Sequence, residues 1–142
     1  MQVTMDMSRA DLNEFYAKCE AAISKVGNGS RKALIEACNV ISDDSLAQVP
    51  RDTETLALSQ FWEITGHYKT GWNAIIGYGG NGDPINPKTG RHASSYMLTV
   101  HEDLTALHIQ GKAKFLEDPI RAYAAEKFPR TVIKHVSNAI HT

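Results

Sequence analysis

Apolar residues recur every three or four positions through the first fifty residues, which is the spacing of one face of an α-helix. Ser8, with Asp11 three residues later, resembles a capping box and predicts where the first helix begins. Gly27-Asn28-Gly29 predicts its end, because glycine and asparagine tolerate the left-handed conformation that closes a helix. A second helix then runs from Ser30 to the residue before Pro50, so we predict an N-terminal helical hairpin. The apolar stripe of the first helix consists of Leu12, Phe15, Tyr16, Cys19, Ala22, Ile23 and Val26.

The pattern changes after residue 55 to residue types that suit a pleated sheet. Residues 56–68 and 72–78 are rich in aromatic and β-branched side chains, and Lys69-Thr70-Gly71 between them predicts a hairpin turn. Residues 79–92 hold four glycines and two prolines, which predicts a long exposed loop. Residues 95–102 alternate between two faces and predict a third strand.

The last segment returns to helical spacing. Asp118 and Pro119 suit the start of a helix, and Pro129 inside the pattern predicts a kink or a restart. A short strand at residues 2–6 is a further prediction from the N-terminus. The element order predicts an α+β fold in a single domain over residues 1–142: an N-terminal helical hairpin, a small antiparallel sheet with a long loop, and a C-terminal helix.

Composition narrows the class of protein. The chain has 142 residues, 42% hydrophobic and 22% charged, which is typical of a soluble globular domain. A net charge of -1 argues against a basic nucleic-acid-binding domain and against a polybasic membrane-surface protein. The apolar runs are far shorter than the roughly 20 residues of a membrane span. Cys19 and Cys38 are interpreted as buried free thiols in a reducing compartment, with a disulfide as the alternative.

Charge is divided unevenly along the chain. Residues 1–59 hold six Lys and Arg against nine Asp and Glu, whereas residues 60–142 hold nine against seven. A dipole of this kind suits self-association or docking.

Few residues in the sequence suggest a metal-binding, phosphate-binding or catalytic site. His101-Glu102-Asp103 and the nearby His108 carry metal-ligating groups, but a strand would turn His101 and Glu102 to opposite faces. The alternative is that they bind the loop or a neighbouring subunit. The glycine-rich segment 77–82 lacks the following helix and the lysine of a phosphate loop, and neither cysteine has an evident histidine partner. We therefore expect no catalytic residue, no metal and no cofactor, and predict that the chain is not an enzyme.

Two stretches, residues 49–59 and residues 96–102 followed by 108–119, resemble the minor-capsid or head–tail joining proteins of tailed bacteriophages. The first has Val-Pro-Arg-Asp-Thr-Glu-Thr-Leu-Ala-Leu-Ser, and the second ends in Gly-Lys-Ala-Lys-Phe-Leu-Glu before the terminal helix. One departure is Glu54, where the family usually has glycine. The residues that carry the resemblance and are candidates for subunit contact are Pro50, Asp52, Thr53, Leu56, Ser59, Tyr96, His101, Glu102, His108, Gly111, Lys114, Phe115 and Leu116.

The resemblance implies a structural protein of the virion neck, made in the host bacterial cytoplasm. It would form a homo-oligomeric ring, a hexamer or dodecamer, that contacts adjacent neck and tail proteins while DNA passes without specific binding, and it would have no membrane partner. The near-neutral charge suits such a channel. The alternatives are a tail terminator that caps the tail tube, a metal-dependent enzyme that uses His101 and His108, and an adaptor-like binding module.

The motif residues have expected local roles. Asp52 and Thr53 are expected to bind nearby amides, and Gly111 to adopt a backbone conformation closed to larger residues. Phe115 and Leu116 are expected to be buried beneath the sheet. His101, Glu102 and the 79–92 loop are the preferred subunit contacts.

Overall fold

The computed structural model describes residues 1–4, 6, 8–108 and 110–142. Its principal element is one helix, α1 (Arg9–Gln48), which at 1.5 Å per residue is about 60 Å long. The capping box is confirmed, because the Ser8 side chain accepts from the Asp11 amide at 3.1 Å. The helical hairpin is wrong, since α1 runs straight through residues 27–29. Residues 2–4 form no strand, and the Met5 part of that prediction lies outside the described residues.

The glycines of α1 serve packing and do not end the helix. A Cβ on Gly27 would lie 2.5 Å from the Cβ and the carbonyl oxygen of Tyr68. A Cβ on Gly29 would lie 2.8 Å from the carbonyl oxygen of His135. Both glycines are buried, and only a residue without a side chain lets these backbones approach so closely. The two glycines that suggested the end of a helix therefore mark places where other backbone segments pack closely against α1.

A short helix precedes the sheet, and the sheet itself is a hairpin. Helix α2 (Thr55–Leu58) replaces the start of the predicted first strand, because three successive buried residues suit a helical turn better than an alternating strand. Strands β1 (Phe61–His67) and β2 (Gly71–Gly77) pair antiparallel, with Phe61 opposite Gly77. The predicted hairpin and its turn are confirmed.

The 79–92 segment forms neither a helix nor a strand, as predicted, but internal hydrogen bonds hold it. The Ala93 amide donates to the Pro84 carbonyl at 3.0 Å, and Asn86 is buried. The predicted third strand is wrong, because residues 95–102 instead belong to a 3₁₀ turn (Ala93–Ser95) and to helix α3 (Met97–Glu102). The reason is tertiary, because the side chains at positions 96, 97 and 100, which share a helical face, pack against the core.

Two helices complete the chain, α4 (Glu117–Glu126) and α5 (Phe128–His141). Pro129 lies in the first turn of α5, so the terminal helix restarts there. Asp118 lies in the first turn of α4 and does not cap it. Helix α5 packs along α1. None of the helices formed by the described residues combines the length and apolar character needed to cross a membrane.

The core has two parts. One is buried between the end of α1, α2, β2 and the start of α4, and the other between α1 and α4. The first contains Val49, Leu56, Ala57, Tyr78, Ala93 and Phe115. The second contains Ala37, Ile41 and Tyr123. Both cysteines are unpaired on α1; Cys38 is buried, which raises the pKa of its thiol, and Cys19 is half-buried.

Candidate functional site

The two sequence stretches that carry the family resemblance fold against each other. The Lys112 amide donates to the Gln48 carbonyl at 2.8 Å. Gly111 has φ of +89°, and a Cβ there would lie 2.6 Å from the Gln48 oxygen and the Pro50 nitrogen. The expectation for Gly111 is confirmed, because both its conformation and this close approach favour glycine. The amide of Lys114 also donates to the carbonyl of His101 at 2.8 Å.

Phe115 lies at the centre of this junction. Its side chain is 1% exposed and meets the rings of Tyr78 and His101 edge-on, each at a centroid distance of 5.0 Å. The Tyr78 hydroxyl in turn pairs with Ser45 Oγ at 2.7 Å and accepts from Gln60 at 3.0 Å. Burial raises the pKa of Tyr78. The predicted burial of Phe115 is confirmed, and the partly buried Leu116 packs against both parts of the core.

Four polar side chains surround the rim of this junction and form what we call the His101 cluster: His101, Glu102, Lys114 and Glu117. His101 Nε2 accepts from the Glu117 amide at 3.2 Å, which leaves the proton on Nδ1 to donate to Glu102 at 2.7 Å. Lys114 Nζ lies 2.5 Å from one Glu102 oxygen and 2.9 Å from one Glu117 oxygen. The Lys114 ammonium is the main reason that the pKa of each carboxyl is lowered.

The His101 cluster has the donor atoms of a metal site but is already occupied by a cation. The ligand atoms of His101, Glu102 and Glu117 all lie within 4.8 Å of one another. The strand-based prediction that His101 and Glu102 face apart is wrong, because they are at the end of α3. However, the Lys114 ammonium bridges both carboxylates, and both nitrogens of His101 are hydrogen-bonded. A divalent ion would have to displace that ammonium. As it stands, the cluster links the end of α3 to the start of α4 through hydrogen bonds and ion pairs.

His108, the other histidine of the metal hypothesis, is not a member of the cluster of donor atoms found among the described residues. It lines a small pocket with Pro50, Thr53, Tyr96 and others. Its Nε2 is buried without a hydrogen-bond partner within the described part of the chain. The structure therefore does not bring His101 and His108 together.

The remaining motif residues have mostly structural contacts. Asp52 pairs with Lys88 Nζ at 2.8 Å, and Thr53 Oγ1 pairs with the hydroxyl of Thr55 at 2.8 Å, in place of the local amides expected for both. Ser59 Oγ donates to the Leu56 carbonyl at 2.7 Å and accepts from an amide at 3.0 Å. The motif thus links the end of α1, the 79–92 segment and the sheet.

Another candidate surface is the N-terminal end of α1, which we call the arm (Arg9–Lys18). Every arm residue is exposed, including Leu12 at 37%, Phe15 at 53% and Tyr16 at 57%. The sequence identified this apolar stripe but placed it in a hairpin that does not form. The same spacing of three and four continues into the buried residues Ala37 and Ile41 of α1, so no local signal marks this stripe as exposed.

The stripe continues into what we call the α1 groove, a cavity of about 670 Å³ at the base of the arm. Ile23 and Val26 form one wall, and the hairpin turn and α5 form the others. Trp72 Nε1 donates to the Gly27 carbonyl at 2.9 Å, and Lys69 pairs with Glu20 at 3.1 Å across the rim. The groove is lined by Ala22, Ile23, Val26, Gly27, Ser30, Leu34, Tyr68, Lys69, Gly71, Trp72, Phe128 and Val132.

Comparison with protein-family models, with curated protein sequences and with solved structures finds no match for this chain. The resemblance to head–tail joining proteins therefore depends on the two sequence stretches alone.

Proposed function

We propose that this chain is a structural subunit of the neck of a tailed bacteriophage, where it joins head and tail as a ring-forming connector or tail-completion protein. The observation that carries the proposal is the contact between the two resembling stretches. They are separated by more than thirty residues in the sequence, yet Gly111 and Lys112 pack on the backbone of Gln48 to Pro50. Motifs that resemble one family and also form one structural unit support a common origin better than scattered similarities would.

The exposed arm supports an assembling protein. A monomer that leaves a Phe and a Tyr more than half exposed on one helix face exposes apolar surface to water at a cost in free energy. Burial of that surface against another chain would recover it. A rigid body around Phe115, with a long helix extending from it, suits a ring subunit that reaches its neighbour.

The His101 cluster favours this structural role over the metal-dependent enzyme. Its two carboxylates both pair with Lys114, Glu117 also pairs with Arg121, and its histidine is hydrogen-bonded at both nitrogens. A catalytic metal needs a vacant coordination position for substrate or water. The cluster instead joins the end of α3 to the start of α4.

The experiment is disruption of the gene in the phage or prophage that encodes the chain, followed by electron microscopy and mass spectrometry of the particles. We expect DNA-filled heads and separate tails, with infectivity restored by the wild-type chain supplied in trans. Mass spectrometry should detect the chain in wild-type particles. Its absence from both particles and assembling tails would refute the proposal.

The same experiment separates the proposal from the tail-terminator alternative. A terminator stops growth of the tail tube, so its loss should give tubes of uncontrolled length. Loss of a neck connector should leave tails of normal length that lack heads. Tail tubes of irregular length would therefore indicate that the chain is a tail terminator and not a neck connector.

A further inference from the structure

Lysine and arginine side chains lie along one side of the contact between α1 and α5, on a surface that we call the basic face. Its members are Lys25, Lys32, Lys127, Arg130 and Lys134. Lys25, Gly29 and Lys32 are three or four residues apart, so they lie on one side of α1. Gly29 packs against the backbone of α5, where a Cβ would lie 2.8 Å from the His135 carbonyl oxygen. The two lysines therefore lie along the edge of the contact with α5.

The α5 half of the basic face has the same spacing. Lys127, Arg130 and Lys134 are also three or four residues apart. Lys134 Nζ pairs at 2.8 Å with Glu36, which is four residues past Lys32 on α1. This ion pair places the two lines of cations side by side. All five cations are exposed, and α5 itself contains no acidic residue.

Carboxylates offset only part of this charge. Glu36 lies within the basic face and pairs with Lys134, and Glu126 is the residue before Lys127. Asp43 lies seven residues past Glu36 on the same side of α1, beyond the basic face. With Glu36 and Glu126 included, the basic face keeps three more positive charges than negative ones. The cations that form no ion pair within the described residues are Lys25, Lys32, Lys127 and Arg130.

We infer that the basic face binds the phosphate backbone of double-stranded DNA and does not read its sequence. Seven residues separate Lys25 from Lys32, which corresponds to about 10 Å along the helix axis. DNA presents one negative charge per about 1.7 Å of its axis, so over that length it offers more phosphates than the face has cations. Contacts to phosphate fix position and carry no sequence information. The inference deepens the proposed function, and it rests on that function only for the choice of DNA among polyanions.

The expected contact is weak and depends strongly on salt. Three net charges that neutralise about three phosphates predict a slope of about −3 for log K against log salt concentration. Between about 50 mM and 200 mM salt, the affinity should then fall about 40-fold. A contact of this strength holds DNA transiently and allows it to move, which suits a chain whose net charge is only -1.

The first test is a titration of fluorescently labelled duplex DNA with the full-length chain, followed by anisotropy. In about 50 mM salt the dissociation constant should be about 10⁻⁴ M or tighter, with the expected salt slope and equal values for two unrelated sequences. Polyglutamate at equal charge concentration should compete at least about tenfold less well than unlabelled DNA, because its charge density is lower.

The second test is Arg130→Glu, with Arg9→Glu as the matched control. Both arginines are exposed, lie in the first turn of a helix and form no ion pair within the described residues. Arg9 is about 24 Å from Lys25 along α1, which exceeds the Debye length. Arg130→Glu should lower the salt slope by about 1 or more and weaken binding about tenfold in about 50 mM salt. Arg9→Glu should change the affinity less than about twofold, and both variants should keep the helical circular dichroism of the wild type.

Four results would overturn the inference: a wild-type chain that does not bind DNA in about 50 mM salt, a clear preference for one of the two sequences, equal affinities of the two variants, or polyglutamate that competes as well as DNA. The last result would assign the basic face to an acidic protein partner. None of these depends on where the chain lies in a phage particle. Conversely, absence from particles would refute the proposed function and leave DNA binding in solution intact. The two failures are therefore distinguishable.

Discussion

Replacement of Gly27 by alanine should destabilise the protein, although alanine is the better helix former. In an open helix interior the change from glycine to alanine stabilises by about 1 kcal/mol. Here the new Cβ would lie 2.5 Å from the Cβ and the carbonyl oxygen of Tyr68 and 2.8 Å from its Cα. Carbon atoms in favourable contact are roughly 3.5–4.0 Å apart, so the Tyr68 backbone must move by about 1 Å. Overpacking of this kind costs about 1–3 kcal/mol, which leaves a net loss of about 1 kcal/mol.

Gly29 is also packed closely, but on the other side of α1. A Cβ there would lie 2.8 Å from the carbonyl oxygen of His135 and 2.9 Å from the Cα of Val136. The double variant Gly27→Ala/Gly29→Ala should therefore lose about 2 kcal/mol of unfolding free energy, if the two sites add. For a domain of this size, that corresponds to a decrease in Tm of roughly 4–8 °C. Urea and thermal unfolding followed by far-ultraviolet circular dichroism would measure both quantities.

Asn28→Ala is the control, because Asn28 is exposed between the two glycines. In a continuous helix it should stabilise by about 0.5 kcal/mol, since alanine has the higher helix propensity and no packed neighbour is disturbed. In a helical hairpin, Asn28 would be in the turn and alanine would destabilise. The changes in the free energy of unfolding caused by Gly27→Ala and Asn28→Ala should therefore have opposite signs. A shared sign, in either direction, would refute the reasoning.

Three further predictions test the core, the contact between α1 and α5, and the His101 cluster. Phe115→Ala should cost about 3–5 kcal/mol in urea unfolding, because the side chain is fully buried; a loss under about 1 kcal/mol, as for an exposed site, would contradict this. The pKa of Glu36 is lowered chiefly by its hydrogen bond to Lys134 and then by His135, so its stabilisation is present above the ordinary value of 4.5 and is lost as pH falls through the lowered pKa. The stability deficit of Glu36→Gln should thus be seen at neutral pH and disappear in acid, and a deficit independent of pH would exclude the pair as its cause. Wild-type protein should bind no stoichiometric zinc, whereas Lys114→Ala should gain zinc affinity by calorimetry; equal binding by both would show that the ammonium does not block the site.

Sequence predicted the elements whose causes are local. The capping box at Ser8 needs only residues 8–11, and the hairpin needs two strand-forming runs with a turn between them. Pro129 inside a helical pattern predicts a kink or a restart, because it lacks an amide proton, and the structure shows the restart. These features depend on neighbours in the chain, so the printed sequence contains all the information that they require.

The errors in the fold come from contacts between distant residues. A glycine pair is a helix stop by local propensity, but Gly27 is held in a helix by the Tyr68 backbone, forty-one residues away. Residues 95–102 alternate like a strand, yet Met97 and Val100 need a helical spacing to reach one core. Tertiary packing outweighed a local preference in both cases.

The candidate site divides in the same way. Gly111 and Phe115 were predicted as residues of the motif, the first with a backbone conformation closed to larger residues and the second with a buried side chain. The His101 cluster could not be predicted, since it depends on α3 being a helix and on Lys114 returning to it. The exposure of the arm could not be predicted either, because its apolar residues have the same spacing as the buried residues of the same helix.

Glu54 is the point at which the chain departs from the family it resembles, and the structure explains how the departure is tolerated. Glu54 has φ of +62°, in the left-handed region that glycine occupies readily, so the turn keeps a conformation that suits glycine. For a non-glycine residue this conformation costs about 1–2 kcal/mol. Part of that cost is offset by the carboxylate, which pairs with Arg51 at 2.7 Å, while the same guanidinium donates to the Leu46 carbonyl at 2.9 Å.

Glu54→Gly should therefore change the free energy of unfolding by less than about 1 kcal/mol, because relief of strain is opposed by greater freedom of the unfolded chain and by loss of the ion pair. Glu54→Val loses the same ion pair and adds a β-branched side chain at positive φ, so it should cost about 2 kcal/mol or more. Urea unfolding of the two variants beside the wild type separates these values. Equal stabilities of the valine and glycine variants would mean that the backbone at residue 54 is not left-handed. The large difference expected here would mean that the position retains the requirement for which the family uses glycine.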